Sequence, residues 1–157
     1  GTIDEVNALI GVARCDLFEE PVVDAILGRI QNDLFDLGAD LATPDTGKPL
    51  DYEPLRIVEA QVERLEAEID RLNADLQPLK SFILPGGSPA AAALHMARTV
   101  SRRAERIMVA LSRSDGETVS PAALKYINRL SDFLFVAARH HNDKGRTDML
   151  WVPGKNR

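Results

Sequence analysis

The stretch that decides the fold runs from Ser81 to Arg113, SFILPGGSPAAAALHMARTVSRRAERIMVALSR. Its aromatic and aliphatic start, Phe82 to Leu84, ends at a Pro-Gly-Gly corner. Ser88-Pro89 then joins an N-cap residue to the proline that suits the first helical position, so we expect a helix of about two dozen residues. Apolar residues at alternating spacings of four and three predict a narrow, small-residue seam for close packing: Ala93, Ala97, Val100, Ala104, Ile107 and Leu111.

A charged stripe lies beside this seam. Arg98, Arg102 and Glu105 follow one another at i, i+4 and i+7, with Arg103 and Arg106 one step further round the helix. A solvated helix face is the simpler interpretation of such a stripe. Arginine is strongly enriched here in an acidic chain, however, and its planar fork suits bidentate phosphate binding. A phosphate-bearing ligand is therefore the sharper hypothesis.

Composition limits the classes of function. The chain has 157 residues, a length typical of one domain. Its net charge of −5 argues against the broad basic surface that general binding to nucleic acid requires. No apolar run approaches the roughly 18 residues of a membrane span. The single cysteine, Cys15, excludes an internal disulfide and favours a reducing, cytoplasmic setting. We expect a soluble protein that binds neither nucleic acid nor membrane.

The rest of the chain also predicts helices. Thr2 and Glu5 fit a capping box that opens a first helix over Thr2 to Arg14. A second helix runs from Pro21 to the breaker Thr43-Pro44. From Pro54 a regular apolar seam continues to Leu76, which indicates a coiled coil or, more often, one helix of a bundle. Ser120-Pro121 begins the last helix.

Several single residues carry open alternatives. Asp4 could simply complement the dipole of the first helix. Asn128 and Asp132 are polar positions in an otherwise apolar helix, where exposure or a bond between helices would explain them. Phe82 could be a core aromatic or face a ligand. The sequence has no phosphate loop, no dinucleotide-binding fingerprint, no Cys or His metal spacing and no Ser-His-Asp set.

Four segments together carry a resemblance: TIDEVNALIG, FILPGG, ALHMARTVSRRAER and INRLSDFLFVAAR. In this order they resemble the PduO-type ATP:cob(I)alamin adenosyltransferases, from Gly1 to about Arg139. The resemblance implies an all-α, ferritin-like five-helix bundle over residues 1–141, assembled as a homotrimer with sites between subunits. It also implies that cob(I)alamin attacks the 5' carbon of ATP and expels triphosphate. The remaining residues, 142–157, are expected to form a flexible tail, whose Trp151 could pack against another part of the chain.

The resemblance also implies roles for individual residues. Phe82 would line the cobalamin side and exclude the lower axial ligand, which makes reduction to cobalt(I) accessible. Asp4 and Arg98 match a pair that bridges subunits beside the site. Four further side chains would contact ATP, its phosphates or the associated Mg²⁺: Arg102, Arg103, Glu105 and Asn128.

Two classes of function remain. An adenosyltransferase would use the cobalamin itself as the nucleophile, and it would work with a reductase and hand its product to a cobalamin-dependent mutase. A non-catalytic helical bundle that binds nucleotide, cobalamin or a partner would instead spread the Phe82 corner and the arginines over unrelated surfaces. The family's glycine-rich segment, which contains Thr-Gly-Asp and wraps the triphosphate, precedes the first helix, whereas the present sequence starts at Gly1.

Overall fold

The computed structural model describes all residues, 1–157. It consists of five α-helices with no β-strand beyond one isolated bridge. Helix α4 packs between α1 and α5, α3 packs against α5, and α1 packs against α2. The predicted all-α, five-helix bundle is confirmed. The helices are α1 (Thr2–Arg14), α2 (Pro21–Ala42), α3 (Glu59–Asn73), α4 (Pro89–Leu111) and α5 (Pro121–His140).

One continuous apolar core holds the five helices together. Leu27 and Leu34 of α2, Leu94 of α4, and Ile127 and Phe133 of α5 are almost completely buried in it. Burial of such side chains is the main favourable contribution to folding. The core therefore makes the helical part of the chain one domain. None of the helices combines the length and the apolar composition that crossing a membrane requires.

The predicted starts of α4 and α5 are confirmed in atomic detail. The Ser88 hydroxyl accepts a hydrogen bond from the Ala91 backbone N–H at 3.1 Å. The Ser120 hydroxyl accepts one from the Ala123 N–H, also at 3.1 Å. In both helices proline follows the cap, at a position where no intrahelical N–H donor is needed.

The capping box predicted for α1 is wrong, although the bounds of the helix are right. Gly1 is the N-cap, Thr2 lies inside the helix, and no side chain caps the first turn. The Glu5 carboxylate instead forms an ion pair with Arg103 of α4. Glu5 therefore joins two helices rather than closing its own first turn.

Helix α3 starts at Glu59, five residues after Pro54, where its apolar pattern begins. Asp40, near the end of α2, accepts hydrogen bonds from the Arg56 guanidinium and from the Ile57 backbone N–H, both at 2.9 Å. These bonds hold residues 54–57 in a non-helical path, and Leu55 is left exposed. Because α3 packs along α5 within the core, the bundle alternative holds and the coiled-coil alternative is wrong.

The buried face of α4 is rotated from the predicted seam. Ala97 and Ala104 are fully buried, as expected, but Ile107 is 50% exposed. Two neighbours, α1 and α5, cover α4 from two sides, so its buried face is wider than one apolar stripe and includes polar residues. Its other buried members are Ala90, Ala91, Leu94, His95, Ser101 and Met108.

Asp40 is the buried carboxylate that joins α2, the segment before α3 and the start of α5. We predict that Asp40→Ala lowers the free energy of unfolding by about 3 kcal/mol, because the Ile57 N–H loses its acceptor and Arg56 keeps only its hydrogen bond to the Asp40 backbone carbonyl. Urea unfolding followed by circular dichroism measures the change. The control is Asp51→Ala, since Asp51 is exposed and makes no side-chain hydrogen bond, and it should stay within about 0.5 kcal/mol of the original chain. Equal losses in both variants would contradict the role of Asp40.

Candidate functional site

A cavity of about 340 Å³ opens between α4 and α5. Arg98 and Arg102 line it from α4, and Ser131, Asp132 and Phe135 line it from α5. The two arginines lie four residues apart, so they project from the same side of their helix. The cavity therefore combines two cationic groups, one carboxylate, a hydroxyl and an aromatic wall.

Arg98 is the least well satisfied of these groups. Its Nε atom is buried without a hydrogen-bond partner. Burial lowers the pKa of the Arg98 guanidinium, and the neighbouring charge of Arg102 lowers it further. A cation in this position gains most from an anion that enters the cavity, because the attraction is strongest where water is partly excluded.

Arg102 belongs to a chain of polar contacts between α4 and α5. Its guanidinium forms an ion pair with Glu105, one turn further along α4. The other carboxylate oxygen of Glu105 accepts a hydrogen bond from Asn128 Nδ2 at 2.8 Å, and Asn128 Oδ1 accepts one from Arg129 at 2.6 Å. This chain orients Glu105 and Asn128 beside the arginines. Of the explanations open for Asn128, the bond between helices is the one present.

Asp132 faces the same cavity from α5. Partial burial raises the pKa of its carboxyl, and Glu105 raises it further, whereas Arg129 and Arg102 oppose both effects. Carboxylates and guanidinium groups thus alternate around the opening. Asp132 accordingly limits the net positive charge that the two arginines would otherwise produce.

The other predicted site residues lie on different surfaces. Arg103 points to α1, where it pairs with Glu5. Asp4 is exposed and makes no side-chain hydrogen bond or ion pair in the chain. It lines a second, mostly apolar cavity of about 550 Å³ between α1 and α2, together with Phe35 and Gly38. Asp4 and Arg98 therefore do not meet within one subunit.

Phe82 is not a core residue, since 77% of it is exposed. It stands at the corner before α4, at the end of the bundle where α4 begins and α5 ends. Its ring meets that of Trp151 edge to face, with 6.1 Å between the ring centroids. The core alternative for Phe82 is thus wrong, and the ring is accessible to a ligand.

Sequence reasoning missed His95 and Phe135. The two rings are in edge-to-face contact, with centroids 6.3 Å apart, and Phe135 forms a wall of the α4–α5 cavity. His95 is only 2% exposed, and neither ring nitrogen has a hydrogen-bond partner. His95 lies one turn before Arg98 on α4, and this spacing could have indicated that the two share a site. Histidine and phenylalanine within an apolar helix pattern are, however, usually core residues.

A family comparison assigns the helical region. The family model described as "Cobalamin adenosyltransferase" matches residues 1–141. Among curated relatives, a corrinoid adenosyltransferase of Mycobacterium tuberculosis is 50% identical over 154 residues, which cover 98% of this chain and 78% of the relative. A corrinoid adenosyltransferase of Bacillus subtilis is 48% identical over 142 residues, covering 88% and 70%.

Solved structures give the same match. A phenylalanine-to-alanine variant of the PduO-type ATP:corrinoid adenosyltransferase of Lactobacillus reuteri, complexed with cobalamin and ATP, superposes with a TM-score of 0.81. It is 39% identical, and the alignment covers 96% of this chain and 82% of that one. An arginine-to-lysine variant of the same protein, complexed with ATP, gives a TM-score of 0.82 at 39% identity and covers 97% and 84%.

The buried, unpartnered His95 should make stability depend on pH. Burial lowers the pKa of His95, Arg98 lowers it further, and Asp148 acts in the opposite direction. An unfolded histidine takes up its proton near pH 6.5. The unfolded state therefore binds the extra proton first, and the free energy of unfolding falls as the pH drops below about 6.5, by at most about 1.4 kcal/mol per pH unit for this residue.

The measurement is urea unfolding of the original chain and of His95→Leu between pH 7 and pH 5. The variant should lose the contribution of His95 to the slope while keeping that of His141, whose pKa burial also lowers. At pH 7 the variant should be at least as stable as the original chain, because the histidine nitrogens form no hydrogen bonds that leucine would remove. An unchanged slope would show that His95 takes up its proton equally easily in the folded protein.

Proposed function

The chain belongs to the cobalamin adenosyltransferase family and is an ATP:corrinoid adenosyltransferase, and we propose that the cavity between α4 and α5 is its ATP site. The reaction transfers the 5'-deoxyadenosyl group of ATP to the cobalt of cob(I)alamin. The electron pair of cobalt(I) forms the cobalt–carbon bond, while the bond from C5' to the phosphate oxygen breaks and its electrons leave with triphosphate. No protein nucleophile is required, because the corrinoid is the nucleophile.

The observation that carries the site assignment is the pair Arg98 and Arg102 facing one cavity. The guanidinium of Arg98 is partly desolvated and lacks a partner at Nε. A polyphosphate supplies the negative charge and the acceptor oxygens that Arg98 lacks within the chain. The same contacts would become stronger as negative charge accumulates on the departing triphosphate, and contacts that strengthen in this way accelerate a reaction.

Glu105 and Asn128 are proposed to serve ATP indirectly. Glu105 holds Arg102 through their ion pair and holds Asn128 through a hydrogen bond, so both groups are oriented before the substrate arrives. We propose that Mg²⁺ enters with the phosphates, which supply most of its oxygen ligands. Glu105 and Asn128 would add a ligand only by releasing Arg102 or Arg129, since their side-chain oxygens already accept hydrogen bonds within the chain. Arg103 would join the phosphate contacts by exchanging its exposed partner, Glu5.

Phe82 is proposed to face the corrinoid. Its ring is exposed at the end of the bundle and lies before the same helix that carries the arginines. An apolar ring below the cobalt would exclude water or the native lower ligand. Cobalt(II) without that ligand is easier to reduce, and the reduction is the step that an external reductase would have to complete.

The site would be finished by a second subunit of a homotrimer. Asp4 lacks a partner within the chain, and so does the Nε of Arg98, yet they lie on separate surfaces. The exposed Phe35 beside Asp4 adds apolar surface that a neighbouring subunit could cover. We propose that Asp4 of one subunit pairs with Arg98 of the next.

The chemistry of the substrate and the product suggests further partners. The product is itself a cofactor, so direct transfer to a cobalamin-dependent mutase would protect it from dilution. Cobalt(I) is strongly reducing, which favours a cytoplasmic location and a nearby reductase.

The decisive test of function is incubation with ATP and chemically reduced cobalamin, followed by the corrinoid absorption spectrum. Conversion to adenosylcobalamin is expected. Binding of both compounds without conversion would instead favour the non-catalytic helical bundle.

Arg102→Glu should abolish detectable ATP binding while leaving the helical content unchanged. Loss of one charge-assisted phosphate contact costs about 1.5 to 3 kcal/mol, roughly a 10- to 100-fold loss of affinity, and charge reversal costs more. Isothermal calorimetry measures the affinity. The control is Arg106→Glu, because Arg106 lies on the same helix, is exposed and forms no ion pair. ATP affinity that is equal in both variants would contradict the site.

Asp4→Arg should weaken assembly and catalysis together, and the double variant Asp4→Arg with Arg98→Asp should recover part of the assembly. Sedimentation velocity measures the oligomeric state. Glu5→Gln is the control, since it removes an ion pair within one chain and should leave assembly intact. A stable monomer in the original chain would rule out the cross-subunit pair.

A further inference from the structure

The C-terminal segment lies along the Phe82 corner as a short antiparallel partner. We define the Phe82 corner as residues 81–87 and the tail strand as residues 149–152. The two are joined by one antiparallel bridge, Ile83 with Leu150. Three hydrogen bonds support it: Leu84 N–H donates to Met149 O (2.7 Å), Trp151 N–H donates to Phe82 O (2.7 Å), and the Ser81 hydroxyl donates to Trp151 O (2.8 Å).

Trp151 holds Phe82 in two ways. Its backbone N–H binds the Phe82 carbonyl, and its indole ring meets the phenylalanine ring edge to face. Trp151 is the aromatic neighbour of Phe82, whose ring otherwise extends into solvent. The direction of the Phe82 ring therefore depends on the tail strand rather than on the helical core.

The tail strand is itself fixed to the bundle. Asp148, the residue before it, pairs with Arg139 of α5 at 2.8 Å, and both side chains are almost fully buried. Arg139 also donates to the Gln77 carbonyl at 2.9 Å, and Asn142 donates to Asp148 at 3.2 Å. Paired and hydrogen-bonded buried charges hold their geometry firmly. The Arg139–Asp148 pair therefore fixes the tail strand, and with it Trp151, relative to α5.

The corner needs such support because its own backbone is permissive. It ends in Gly86 and Gly87, both with positive φ. An aromatic side chain that must occupy one side of a metal centre loses effectiveness when it samples many orientations, since misplacement by about 1 Å can reduce a rate up to about a hundredfold. A second aromatic ring and a paired backbone remove much of that freedom before the ligand binds.

We propose that Trp151 is a positioning residue for Phe82, and that the tail strand is therefore part of the corrinoid half of the site. The proposal rests on the proposed role of Phe82 in excluding the lower axial ligand. It adds that the exclusion requires the tail strand in place. Trp151 acts through Phe82 and leaves the ATP site between α4 and α5 unchanged.

The test uses the full chain with cob(II)alamin and ATP, and it follows the absorption bands of four-coordinate cobalt(II). Trp151→Ala should lower the four-coordinate fraction and reduce kcat about tenfold, with the ATP affinity measured by calorimetry unchanged. Trp151→Phe should restore most of both, because it keeps an aromatic ring beside Phe82, whereas both variants keep the backbone N–H. Val22→Ala is the matched control: it removes a similarly exposed apolar side chain from α2, outside the tail strand and both half-sites, and should behave like the original chain.

A second variant keeps the proposal testable if Trp151→Ala folds poorly. A chain that ends after Asp148 keeps the buried Arg139 pair and lacks the tail strand, so it should show the same loss while its melting temperature stays close to that of the original chain. Full four-coordinate bands and full kcat in either folded variant would overturn the positioning role. If the original chain and Phe82→Ala instead gave identical bands and rates, the role proposed for Phe82 itself would fail.

Discussion

The hydrogen bonds of the Asn142 side-chain amide hold together the end of the bundle where α4 begins and α5 ends. Its Oδ1 accepts a hydrogen bond from the Ser88 N–H at 3.0 Å, and its Nδ2 donates to the Gly86 carbonyl at 2.9 Å. One buried side chain thus ties the end of α5 to the start of α4 and to the corner before it. Gly87 has a φ of 109°, and a Cβ there would lie 2.0 Å from Asn142 Oδ1, so no other residue fits without displacing the amide. Gly87 of the Pro-Gly-Gly corner is consequently a condition for placing Phe82 and α4 together.

The second constraint is electrostatic. Arg98 and Arg102 are held close together, and one of them is partly buried without a carboxylate of its own. Such an arrangement costs stability in the free protein, because desolvation and like charge both oppose it. Elsewhere the chain pairs its buried charges, as Arg139 does with Asp148 and Arg56 with Asp40. The contrast supports the proposal that Arg98 binds an anion, which would recover the desolvation cost.

The sequence predicted those parts of the fold that local chemistry determines. The Ser-Pro starts of α4 and α5 were correct because cap and proline act within a single turn. The start of α3 was missed because Asp40, on another helix, captures the backbone before it, and no local pattern reveals that bond. The apolar pattern also placed Ile107 in the core, but it is half exposed. Packing of α1 and α5 on two sides of α4 decides which residues are buried, and the sequence pattern of α4 alone does not show it. For the site, residue identity revealed the arginines, whereas the contact of Trp151 with Phe82 joins residues far apart in sequence and emerges only in the fold.

Helix α4 also fixes the distance between the two proposed half-sites. At 1.5 Å per residue, it rises about 14 Å from Pro89, beside the corner, to Arg98 and about 10 Å more to Glu105. Under the proposed assignments, the reacting carbon would lie between the corner, where Phe82 is exposed, and the arginine stripe, where the phosphates would leave. Because nucleophile and leaving group both belong to substrates, the protein's main contribution is this spacing together with the charge at one end of it. A rigid helix sets such a distance more firmly than loops can, and it couples the two half-sites, since any tilt of α4 displaces the arginines relative to the corner.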